Sequence, residues 1–245
     1  MKIYKSGFYP TPINRILSIL VFPIILLSVG SCSKDYYPKQ FPPVKYCPDL
    51  PVVMYGGEEY PTVLIENRCW MAKNLNIGMM IGDSLNMTNN DLIEKYCYDN
   101  DTANCNVFGG LYQWDEVMQY NSEEDTRGIC PEGWHIPTNS EFVDLLIYVD
   151  NFHEYLIENH DTLWKKFGHS EFYNATGFSA LPAGQRNLST DYHSFYGIYY
   201  FTVIWCSKEL DYQNAIGFEV PREEQIDGQY FNTEYGNSIR CIKDE

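Results

Sequence analysis

Seven of the eight cysteines, Cys47, Cys69, Cys97, Cys105, Cys130, Cys206 and Cys241, constrain this chain more than any periodic pattern does, because paired thiols limit which segments can be neighbours. Whether they pair depends on the compartment, and the N-terminus speaks to that. Lys2, Lys5 and Arg15 give a basic start with no acid before Asp35, and Ile16 to Leu27 is apolar except for Ser18 and Pro23. Such a run falls short of the ~20 apolar residues that a spanning helix needs, so it reads as a secretory signal. An exported chain meets oxidising conditions, where these cysteines are expected to form disulfides with at least one odd thiol left over. There is no C-x-x-C pair and no Cys/His spacing suited to zinc.

Small residues follow the apolar run, and Val29-Gly30-Ser31-Cys32 resembles a bacterial lipobox, in which the cysteine is diacylated and becomes the new N-terminus. The expected organisation is a signal peptide over 1–31, a lipid anchor at Cys32 with an extended tether over 32–50, and one globular domain over 51–245. The tether reading rests on Phe41-Pro42-Pro43 and Cys47-Pro48, where proline disfavours regular structure. Removing the leader takes three of 17 basic residues and none of the 33 acids, so 14 against 33 leaves a formal charge of -19. That surface repels phosphate backbones and excludes a polybasic grip on anionic lipid. Acyl chains on Cys32 are therefore the expected membrane contact, with the outer membrane as the address and the cell surface as the favoured face.

Coarse patterning describes an α+β domain of two or three helices, short antiparallel strands and long loops. Thr62 to Ile65 reads as a strand with Cys69-Trp70-Met71 as its buried continuation, and Asn74 to Asn90 as an irregular loop. Leu111, Trp114, Val117 and Met118 have helical spacing within Gly110 to Tyr120. Thr138-Asn139-Ser140-Glu141 has the form of a capping box, and Phe142, Leu145, Leu146 and Val149 follow on one helical face. His153 to Phe167 is a weaker helical stretch. Strands are expected at Tyr199 to Trp205, Ala215 to Val220 and Ser238 to Lys243.

Several segments, taken in order, carry a resemblance. They are Thr62 to Leu75, Tyr96 to Asp101 with Cys105, Gly109 to Trp114, Gly128 to Thr138, Gly177 to Gly184, Trp205-Cys206-Ser207 and Ser238 to Asp244. Together they resemble the Fibrobacter succinogenes major paralogous domain, over roughly residues 45–245. The resemblance implies a plan similar to C-type-lectin-like and formylglycine-generating-enzyme folds, in an exported and often lipid-anchored setting. It implies a fold and no reaction. Trp134 to Thr138 stands where those folds enter a helix, and Ile239-Arg240-Cys241 where they finish on a strand. The resemblance places those two elements side by side, which implies a Cys130–Cys241 bridge. Cys97 and Cys105 flank a turn-rich loop that a bridge can close, and Cys47–Cys69 is then the third pair. Cys206 stands where the family usually has serine after tryptophan, so it is expected to be the free, buried thiol.

The motifs give no catalytic set. Gly177-Phe178-Ser179-Ala180-Leu181 misses the last glycine of a nucleophile elbow, and no histidine belongs to an H-E-x-x-H pair. His135, beside a helix start, reads as a hydrogen-bonded structural histidine. Asp99, Asp101 and Asn104 are candidate calcium ligands, although Ala103 interrupts EF-hand spacing; apart from calcium no cofactor is expected. Arg186, Asn187, Tyr192 and Tyr196 lie in a stretch of aromatics with nearby amides, the chemistry that sugar and peptide partners use. The expected function is a lipid-anchored, non-enzymatic envelope protein that binds a glycan, or an envelope or host protein, as an adhesion module, with no nucleic-acid partner. The alternatives are a structural part of a surface appendage, and an enzyme of the formylglycine-generating type using Cys206 and Cys241.

Overall fold

Gly56 and Gly57 have φ of 58° and 84°, and they turn the chain between β1 (Val52–Tyr55) and β2 (Glu58–Ile65). Two successive positive φ values are what a tight type I′ hairpin requires, and glycine reaches them without a Cβ clash. This hairpin is absent from the patterning above. β2 then pairs with β3 (Arg68–Met71), with Val63 opposite Trp70 and Ile65 opposite Arg68. Cys69-Trp70-Met71 is therefore a returning strand and not a continuation of β2, since the chain reverses at Glu66 (φ 56°) and Asn67.

The computed structural model describes residues 39–158, 163–164, 173–188, 194–220 and 229–245. The signal segment, Cys32 and Tyr192 lie outside them. β4 (Met79–Met80) and β5 (Glu94–Lys95) form a small parallel pair inside the long loop. α1 (Thr102–Phe108) follows, capped by Asp101, whose carboxylate accepts from the Ala103 N–H at 2.9 Å. α2 (Trp114–Val117) is a single turn. The helix expected over Gly110 to Tyr120 is cut short at both ends. Leu111 and Tyr112 bridge to Tyr96 and Asn237 in extended backbone, and Gln119 and Tyr120 take positive φ.

β6 (Trp134–His135) leads into α3 (Asn139–Tyr148), which starts on the expected capping box: the Thr138 hydroxyl accepts from the Glu141 N–H at 3.3 Å, and the Glu141 carboxylate from the Thr138 N–H at 2.8 Å. Of the stretch from His153, a single 3-10 turn (His153–Tyr155) forms before Ile157 bridges to Ala180, and most of the remainder lies outside the described residues. β7 (Gln185–Arg186) pairs with β8 (Phe195–Tyr196). β9 (Thr202–Asp211), β10 (Asn214–Val220) and β11 (Gln229–Asn232) make an antiparallel sheet in the order β11-β10-β9. β12 (Ile242–Lys243) completes a second sheet in the order β1-β2-β3-β12-β6.

Strand alternation on β9 serves two cores. Ile204 and Cys206 join the apolar face of α3, where Phe142 stacks on Phe218 at 4.4 Å, while Trp205 joins Tyr112, Ile136 and Ile239. The domain is thus α+β, and three disulfides staple it: Cys47–Cys69, Cys97–Cys105 and Cys130–Cys241. Cys206 is free and buried. These are the expected pairs.

The extended tether is corrected from Lys39 onward. Phe41 packs edge-on against Tyr148 and Tyr155, the Lys45 carbonyl accepts from the Leu64 N–H, and Cys47 is bonded to Cys69. Residues 39–50 belong to the domain because their aromatic and backbone groups find partners on it. Among the described residues no helix is long and apolar enough to cross a membrane.

Candidate functional site

Antiparallel pairing places Ile242 opposite His135 and Lys243 opposite Trp134, which brings the C-terminal Asp244 and Glu245 beside β6. Alternation sends Trp134 into a core and His135 to the other face. There it lines a cleft of about 560 Å³ with Arg68, Asp125, Arg127, Thr138, Ser140, Glu141, Asp244 and Glu245, and Trp134 also borders it.

His135 lies between carboxylates. Its Nδ1 is 2.7 Å from Asp244 Oδ1, its Nε2 is 3.1 Å from Glu141 Oε1, and Asp125 Oδ1 stands 3.6 Å from the same nitrogen. A carboxylate only accepts, so both ring nitrogens are best satisfied as donors, which makes the ring an imidazolium. Burial lowers its pKa, but hydrogen bonds to Glu141 and Asp244 and the charges of Glu141 and Asp125 outweigh it, and the net shift is upward from 6.5. Burial raises Glu141, yet His135 and Thr138 outweigh that and leave it below its usual 4.5. The Glu141 carboxylate also accepts from Arg68 Nη1 at 2.9 Å, and Arg68 reaches Glu245 at 3.5 Å and Asp144 at 3.8 Å. Arg127 is exposed on the same cleft and forms no ion pair among the described residues.

This pairing sets a pH window. The folded-state pKa of His135 is above its unfolded value, so its contribution is full below pH 6.5 and is lost as pH rises through the folded value. The Glu141 contribution is full above 4.5 and is lost as pH falls through its lowered value. Stability against urea should therefore be highest between these limits and decline on the alkaline side. His135→Gln should flatten the alkaline decline, and an unchanged slope in that variant would assign the decline elsewhere.

The other expected site residues fall differently. Arg186 is corrected as a binding residue: it is 5% exposed, with its guanidinium donating to the carbonyls of Asp83 and Glu234 and lying 4.7 Å from the Tyr96 ring. A side chain so engaged ties loops together and is not presented to a ligand. Asn187 is half-buried, with its backbone N–H on the Ser194 carbonyl. Tyr196 is 63% exposed and lies 5.5 Å from the Phe201 ring, so it keeps an accessible aromatic face. The calcium candidates are used locally: Asp99 takes φ 54°, Asp101 caps α1, and the Asn104 amide donates to the Tyr98 carbonyl. Among the described residues no group of three or more His, Cys, Asp or Glu side chains is placed to hold a metal ion.

Arg68, Asp125, Arg127, Asp244 and Glu245 escape a linear reading. His135 and Glu141 carried a signal, since six residues and a helix cap separate them. Arg68 arrives by the β2–β3 turn and Asp244 and Glu245 by the β6–β12 pairing, while Asp125 and Arg127 flank Thr126, whose carbonyl accepts from the Ile136 N–H.

Residues 63–243 match the model of the Fibrobacter succinogenes major domain, well over half of the chain. No curated protein and no solved structure matches it.

Proposed function

Because the chain belongs to the Fibrobacter succinogenes major domain family, we propose that it is a lipid-anchored envelope protein whose domain binds a glycan or protein without catalysis. On this reading Cys32 carries the acyl chains at the outer membrane, and the lectin-like plan implied by the resemblance presents two faces, the His135 cleft and Tyr196. One observation supports the non-catalytic part. The imidazole of the cleft has both ring nitrogens committed to carboxylates, so it has no lone pair free to act as a general base.

The thiols support the same reading. Cys241 is held in a disulfide, and Cys206 is buried, with burial pushing its pKa to about 12 against the weaker pull of backbone hydrogen bonds. A thiol at that pKa is neither a nucleophile nor a ready ligand at neutral pH. A formylglycine-type pair therefore finds no support in these two residues.

Arg127, with the carboxylates of Asp125 and Asp244 and the Ser140 hydroxyl, offers charged and hydroxyl partners to a polar ligand, and Tyr196 offers a stacking face. The test is a glycan and envelope-protein screen with the full-length protein in membranes, a fraction that Cys32→Ala should empty. Saturable binding is expected, and either Arg127→Ala or Tyr196→Ala should weaken it by about tenfold, or ~1.4 kcal/mol. Turnover of any screened compound, with no saturable partner, would overturn the proposal.

A further inference from the structure

Away from the cleft, an amine, a carboxamide and a carboxylate meet on one side of β2. Asn76, on the loop after β3, is 5% exposed. Lys95 Nζ, from β5, stands 2.6 Å from Asn76 Oδ1, and Asn76 Nδ2 donates to Glu58 Oε1 at 2.5 Å. The Asn76 backbone N–H is held by the Tyr60 hydroxyl at 3.0 Å, and Lys73 Nζ fixes the other oxygen of Glu58 at 2.6 Å. The carboxamide is thus pinned with an amine at one end and a proton acceptor at the other.

We propose that Lys95 and Asn76 join in an intramolecular isopeptide bond, with Glu58 holding the leaving nitrogen. The neutral Lys95 amine adds to Asn76 Cγ, forming the Nζ–Cγ bond. The proton that Nζ sheds passes by way of Oδ1, the atom to which Nζ already donates, to Nδ2, which Glu58 holds; the Cγ–Nδ2 bond breaks, and ammonia leaves. Amine and carboxamide become a secondary amide and ammonia, so no oxidant, cofactor or second substrate is needed. Positioning supplies what the reaction lacks in water, where an amine and an amide meet rarely and in the wrong orientation. Burial also lowers the Lys95 pKa, partly opposed by the charge of Glu58, and so increases the share of neutral amine.

The location fits a covalent staple. The bond would close the loop from Asn76 to Lys95, which holds little regular structure beyond the β4–β5 pair. That loop lies between Cys69 and Cys97, where no disulfide is enclosed. The inference stands whether or not the domain binds a glycan.

Intact mass of the reduced full-length protein is the test, followed by tandem mass spectrometry of its proteolytic peptides. The expected result is a mass lower by one ammonia and a branched peptide joining Asn76 to Lys95. Lys95→Arg keeps the charge and should restore the full mass, and Glu58→Gln should slow bond formation by roughly 10²-fold by loosening the hold on Asn76. A full, unmodified mass in the folded wild-type protein would overturn the proposal. So would ammonia loss that persists in Lys95→Arg, because a succinimide at Asn76 loses the same mass without needing the lysine.

Discussion

Replacing Cys130 and Cys241 together by alanine should lower stability by about 4–5 kcal/mol, against roughly 2–3 kcal/mol for the Cys97 and Cys105 pair. The difference follows from chain entropy: one bridge closes a sequence separation of 111 residues and the other a separation of 8. The long bridge restricts far more of the unfolded ensemble, and it fastens the approach to α3 to the residues just before β12. Both of its cysteines are fully buried, so alanine is the cleaner replacement, since serine would bury two hydroxyls. Urea unfolding of the two double variants, with the remaining bridges oxidised, measures the gap. Equal losses would show that native packing, and not loop closure, sets what each bridge contributes.

Arg240→Met should cost about 3–5 kcal/mol, at roughly 1–3 kcal/mol for each acceptor left unpaired, with Arg240→Lys recovering part of it. Arg240 is fully buried, and its Nε donates to Asn74 Oδ1 at 2.7 Å. Its two terminal nitrogens donate to the carbonyls of Phe178 and Ser179, and the guanidinium lies 4.4 Å from the centroid of the Phe178 ring. Burial draws its pKa down to about 9, with the charge of Glu158 opposing, so it is still a cation at neutral pH. Methionine keeps most of the volume and removes every donor, leaving the buried Asn74 and Phe178 acceptors and the part-buried Ser179 carbonyl without a partner. Lysine keeps the charge without the planar fork that reaches all three. The same urea experiment reads this effect, and a loss below about 1 kcal/mol would mean that water replaces the guanidinium.

Arg240 also marks where linear reading stops. Ile239-Arg240-Cys241 was legible as a family segment, and Cys241 as one end of a bridge. Nothing nearby in sequence announced that Arg240 would serve as an internal tie, because its acceptors are 166, 62 and 61 residues away. Arg186 shows the converse. Its aromatic neighbourhood read as a binding surface, but the β7–β8 pair turned it inward onto the carbonyls of residues 83 and 234.

What the sequence determined by itself is local or covalent. The capping box at Thr138 and the apolar face of α3 rest on residues three and four apart, so their outcome needs nothing distant. The α+β class and the family follow from ordered segments that survive without coordinates, and the loop between Cys97 and Cys105 was short enough to foresee its closure. The tertiary structure alone decided what depends on strand pairing. The return of the chain at Glu66 brings Arg68 to Glu141, and the β6–β12 register brings Asp244 to His135. Lys95 and Asn76 meet because β5 pairs with β4. Pairing depends on backbone hydrogen bonds between distant segments, which leave little trace in the identities of the side chains they bring together.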